Sequence, residues 1–134
     1  MGDMSFADVE AGVRTALATY SHALDDGRAE DVVATFCSDG AVDIPGMGTH
    51  AGAEALLAAY TRWRPRQPQR HLVVNTAVTD WGDDRARATS DVVFLLKGEA
   101  GWAVQVVGRY LDELHRDGDT GSWRFHRRTA EFVP

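Results

Sequence analysis

One cysteine, Cys37, is all the thiol chemistry this chain has, so no intramolecular disulfide can form and stability must come from packing. No apolar run approaches the roughly 20 residues that a bilayer-spanning helix requires. The start, Met1-Gly2-Asp3-Met4-Ser5-Phe6, has neither a basic segment nor an apolar signal core. Phe6 also stands where a myristoylation motif needs Ser or Thr. The expectation is a soluble, cytoplasmic chain with no membrane partner.

Basic charge is short as well. With 14 Lys and Arg against 20 Asp and Glu, the net charge is -6, which argues against general nucleic-acid binding, an affinity that rests on clustered cations neutralising phosphates. The local exception is Arg62, Arg64, Arg66 and Arg70 around Pro65 and Pro68, which reads as a solvated basic rim or as an attraction for an anionic ligand. What is present is ordinary globular composition: 134 residues, 44% hydrophobic and 25% charged, enough for one domain spanning 1–134 with its own core.

Along the chain, Ser5-Phe6-Ala7-Asp8 resembles a capping box with Asp in place of Glu. The apolar residues that follow, Phe6, Val9, Val13, Leu17, Tyr20 and Leu24, step by threes and fours as an amphipathic helix does. Gly27 is placed to end it in a left-handed cap, leaving Asp25 and Asp26 at the helix's negative end. Helix electrostatics disfavour carboxylates there and should raise their pKa, unless they are simply solvated turn residues. A second short helix is predicted from about Arg28 to Phe36, and Cys37, following Val32, Val33 and Phe36 on this predicted helix, reads as a buried small hydrophobe. Ala41–Ile44 reads as a short strand ended by Pro45. The glycine-rich stretch from Gly46 to Gly52 lacks phosphate-loop spacing, and a third helix is predicted over about Ala53–Arg64.

The apolar period then changes to two. Strands are predicted over 71–81, 85–96, 102–116 and 122–132, joined by short turns as an antiparallel meander. Helices first and strands after imply an α+β domain, with a strongly curved antiparallel sheet and about three N-terminal helices enclosing a pocket.

The organising stretch is Arg70-His71-Leu72-Val73-Val74-Asn75, where the proline-broken loop becomes strand. A histidine opening a half-buried strand is either a hydrogen-bonded core residue or a chemical one. Asp25 and Tyr20 from the first helix, Asn75 on the same strand parity as His71, and Arg109 and one of Arg127 and Arg128 from later strands could point into the same cavity. An Asp beside a His orients the imidazole for proton transfer, and a tyrosine can hydrogen-bond a carbonyl; Tyr20 equally suits a core position. No nucleophile elbow is present, and His22, His50, His71, His115 and His126 show no metal-ligand spacing, so neither metal nor cofactor is expected.

Tyr20-Ser21-His22-Ala23-Leu24-Asp25, the phenylalanine before Asp39-Gly40, the Gly52-Ala53-Glu54-Ala55 helix start and Arg70-His71 are together similar to SnoaL-like proteins. These belong to the nuclear-transport-factor-2-like superfamily, and their relatives include scytalone dehydratase and bile-acid 7α-dehydratase. The resemblance covers nearly the whole chain. It implies a cofactor-free dehydratase, isomerase or cyclase acting on a small cyclic metabolite such as a polyketide or steroid-like compound. Asp25 would balance His71, His71 would be base and then acid, and Tyr20 would polarise the substrate oxygen. Asn75, Arg109 and Arg128 are candidate substrate contacts on strand position alone, and the family's habit is a homodimer through the sheet. Two features depart from scytalone dehydratase: no second histidine on the strand Arg87–Val93, and Val107 and Arg109 in place of Ser and Asn. The same fold also hosts non-catalytic ligand-binding and assembly modules, so that reading stays open.

Overall fold

A computed structural model describes residues 4–134; the reading of Met1-Gly2-Asp3 lies outside the described residues. Helix α1 (Phe6–Asp25) is started by a full capping box: Ser5 Oγ accepts from the Asp8 N–H at 3.1 Å, and Asp8 accepts from the Ser5 N–H at 3.2 Å. It ends at Asp25, with Asp26 as cap and Gly27 at φ +73°, a backbone region open to glycine without penalty. Two further helices follow, α2 (Ala29–Ala34) and α3 (Ala53–Arg62).

The strands are β1 (Phe36–Ile44), β2 (Gly48–Ala51), β3 (Gln69–Trp81), β4 (Arg85–Gly98), β5 (Gly101–Arg116) and β6 (Trp123–Phe132). They form one sheet in the order β2-β1-β6-β5-β4-β3. The predicted meander is the β3–β6 half of it. Two local readings are corrected. Cys37 lies on a strand, because β1 starts at Phe36, and the glycine-rich stretch folds β2 back onto β1 as an edge hairpin. β1 also runs parallel to β6, so the sheet is not wholly antiparallel.

Alternation along β3–β6 sends one row of side chains to the helix-covered concave face and the other to the outer face. Val9, Val13, Leu17 and Tyr20 of α1 meet Leu56 and Tyr60 of α3 and Ala86, Ala88, Leu114 and Phe125 of the sheet in one core. Gly12 makes α1's approach to β6 possible, since a Cβ there would lie 2.2 Å from Trp123 Cδ1.

Candidate active site

Asp25 ends α1 where the helix passes the start of β3, and this junction joins it to His71. Asp25 Oδ1 accepts from His71 Nδ1 at 2.7 Å, and Oδ2 from the His71 backbone N–H at 2.8 Å. Gln69 Nε2 donates to Oδ1 at 3.1 Å. The pair is well shielded, with side-chain exposures of 14% for His71 and 6% for Asp25.

Burial acts to raise the Asp25 pKa, but the ring and backbone hydrogen bonds from His71, attraction to the imidazole and the Gln69 amide outweigh it. The carboxyl is held below its ordinary value. This corrects the expectation from helix electrostatics, because local donors dominate the helix-end field. An ionised carboxylate can only accept, so Nδ1 carries the proton. Nε2 has no partner among the described residues, yet it is not a sealed polar atom. Its lone pair is free to act as a base. The ring is fixed from the other side by Phe94, stacked at 4.5 Å and 24°. His71 borders a cleft of about 320 Å³ between α1 and β3, whose walls include Leu17, Ser21, Val73 and Thr76.

The other expected residues lie elsewhere. Tyr20 is 2% exposed, its hydroxyl is 2.5 Å from that of Tyr60, and burial pushes both hydroxyls' pKa values up. It is a core tyrosine already committed to a partner. Arg128 is fully buried and makes paired hydrogen bonds to Asp112 at 2.8 and 2.9 Å. Its guanidinium lies 3.7 Å from the Tyr110 ring centroid and 4.4 Å from those of Tyr20 and Phe125. Burial works against that charge, but Asp112, by attraction and by its paired hydrogen bonds, outweighs it and holds the arginine protonated.

Asn75 and Arg109 are turned to the outer face, where both bond to Asp91. The parity argument for Asn75 fails because the β3–β4 register shifts between Val74 and Ala77, and Asn75 sits there at φ +54°.

Two residues were missed. Gln69 shares the inward parity of His71. Tyr110, inward on β5 with Gly108 and Asp112, has a hydroxyl without a partner among the described residues that is not sealed from solvent. Burial above all holds that hydroxyl protonated, so it is an uncommitted donor on the inward face of β5. No metal ligand set surrounds Asp25 and His71: among the described residues, the only group of His, Cys, Asp or Glu close enough for one is Cys37, His115 and His126.

Helices packed into a curved, unclosed sheet give the protein the cystatin-like, nuclear-transport-factor-2-like fold of solved neighbours. The chain belongs to the SnoaL-like domain family, whose model matches residues 6–129. A Catenulispora acidiphila protein, solved in complex with S-DNPA, is 27% identical with a TM-score of 0.83 over 94% of each chain. A scytalone dehydratase-like protein of Novosphingobium aromaticivorans is 20% identical, with a TM-score of 0.81 over 93% of this chain and 84% of that one. ActVI-ORFA of Streptomyces coelicolor is 21% identical, with a TM-score of 0.81 over 92% of this chain and 96% of that one. Curated protein sequences give no match. No helix among the described residues is long and apolar enough to cross a membrane.

Proposed function

We propose that the protein is a cofactor-free acid/base enzyme, a dehydratase, isomerase or cyclase, acting on a small, largely apolar cyclic ketone of polyketide or steroid-like type. The observation that carries this reading is the His71 imidazole, bonded to ionised Asp25 through Nδ1 and open at Nε2. Nε2 removes a proton from the carbon next to the substrate carbonyl. The imidazolium that forms is balanced by Asp25, and in a dehydration it returns the proton to the departing hydroxyl on the same face. The three reaction types share the first step. Incubation of candidate cyclic ketones in deuterated water should therefore show exchange at that carbon, read by mass spectrometry. Absence of exchange and of turnover across hydroxylated polyketide and steroid-like ketones would favour the non-catalytic ligand-binding reading.

Tyr110 supplies the hydrogen bond to the developing enolate oxygen in this reading, because its hydroxyl is free where that of Tyr20 is engaged. Tyr110→Phe is expected to lower turnover by about 10²-fold with the fold intact. Tyr20→Phe should chiefly lower the melting temperature. Equal loss of turnover in the two variants would return the role to Tyr20.

The working form in this proposal is a cytoplasmic homodimer through the sheet. On the outer face Leu72, Val93 and Val107 lie side by side across three strands, Leu72 and Val107 being 48% and 44% exposed. Gel filtration at micromolar concentration should give a dimer, and Val107→Glu a monomer; a monomer peak from the unaltered chain contradicts the assignment.

A further inference from the structure

Cys37, His115 and His126 come from three adjacent strands, β1, β5 and β6, and a ligand atom of each lies within 4.8 Å of the others. Their neighbours Phe36, Leu114 and Phe125 point into the core, so alternation turns the three outward, onto the face opposite Asp25 and His71. We propose that they form a zinc-class metal site, with the Asp39 carboxylate as fourth ligand.

The side chains are poorly satisfied as they stand. His126 Nδ1 is buried without a hydrogen-bond partner, its closest carboxylate oxygen, Asp39 Oδ1, lying 3.7 Å away. Cys37 Sγ makes a long contact, 3.7 Å, to the Arg124 carbonyl. The imidazoles of His115 and His126 are stacked at 4.4 Å and 10°, which sets their nitrogens side by side. The neighbouring guanidinium of Arg124 is engaged by Asp117 at 3.4 Å.

The donor set is one sulfur and two imidazole nitrogens, which suits a borderline cation and not calcium or magnesium. A tetrahedral zinc with bonds of about 2.3 Å to sulfur and 2.0 Å to nitrogen needs ligand atoms roughly 3.3–3.6 Å apart. Rotating one imidazole about its Cβ–Cγ bond and closing the group by about 1 Å would suffice. The rigid strands behind it limit what has to be ordered. The β5–β6 register shift that re-aims the strand here lies between Glu113 and Leu114, opposite His126. As the zinc–sulfur bond forms, the Cys37 thiol proton passes to solvent. The ligands are distant in sequence and meet only in the fold, so bound metal would clip β1 and β5 to β6 and favour the folded chain.

The test uses the full chain freed of metal with a chelator. Titration should show one Zn²⁺ per chain, and Co²⁺ should give a thiolate-to-cobalt charge-transfer band in the near ultraviolet. Cys37→Ser and His126→Gln should weaken Zn²⁺ binding by at least about 10²-fold and abolish its rise in melting temperature, while His50→Gln changes neither. Cys37 is the only cysteine, so its alkylation rate reads the site on unaltered protein, and saturating Zn²⁺ should slow it. A cobalt adduct without the thiolate band, or an alkylation rate indifferent to Zn²⁺, overturns the proposal.

Discussion

Replacing Asp112 by Ala should destabilise the fold by about 3–5 kcal/mol and lower the melting temperature by about 10 °C or more. Asp112 and Arg128 both have side chains with no solvent exposure. Removing the carboxylate leaves a buried guanidinium whose Nη1 already lacks a hydrogen-bond partner. The faces of Tyr20, Tyr110 and Phe125 soften that cost without cancelling it, since attraction to an aromatic ring is worth only about 0.5–2 kcal/mol. Asp112→Asn should lie between, keeping the shape and one acceptor. The double change Asp112→Leu with Arg128→Met should recover much of the loss, because a buried ion pair is often no better than apolar residues of similar volume. Thermal and urea melts of the four proteins decide it. A melting temperature for Asp112→Ala within a few degrees of the unaltered chain would mean that water reaches Arg128.

His71→Gln and Asp25→Asn should each lower turnover by about 10²-fold or more on whatever ketone supports exchange. The reasons differ. Glutamine cannot hold a proton on the path, so His71→Gln removes the base. Asparagine can accept from Nδ1 or, with its amide reversed, donate to it; the second arrangement puts the histidine proton on Nε2, where it blocks proton abstraction. Near-normal rates in both variants would sink the acid/base reading. The pH response separates the two further. The Asp25 pKa is lowered in the folded chain, so its contribution to stability is complete above the ordinary carboxyl range. That contribution is lost as pH falls below about 4. The unaltered chain should lose stability on acidification through this window, and Asp25→Asn should lose less.

The Asp25–His71 junction was legible in the sequence because both residues end regular elements whose periods are strong. The core stripe of α1 runs to Leu24, and the period-two pattern begins beside His71, so only the meeting of the two ends had to be assumed. Side-chain direction was legible as far as the first register shift. Past Val74, the irregularity around Asn75 reverses parity. On β6 Phe125 and Arg128 both point inward although an odd step separates them, which two-residue counting forbids. Nothing local signals such bulges unless glycine marks them. Arg128 also misled as a charge, because its partner, Asp112, is on another strand. A free arginine and a buried ion pair have the same spelling. Cys37 was read as helical because Val32, Val33 and Phe36 continue a helical apolar rhythm, whereas Phe36 belongs to a strand held by parallel pairing with β6, a contact only the fold creates.

That pairing has a consequence for how the sheet is assembled. Of the six described strands β6 comes last in chain order, and it lies between β1 and β5. Until it is made, the β1–β2 hairpin and the β3–β5 meander have no strand to join them, and Asp112 waits without its arginine. Pairing over so long a separation is slow. Before β6 pairs, the edges of β1 and β5 that it joins are open, and an open strand edge is a template for exchange between copies.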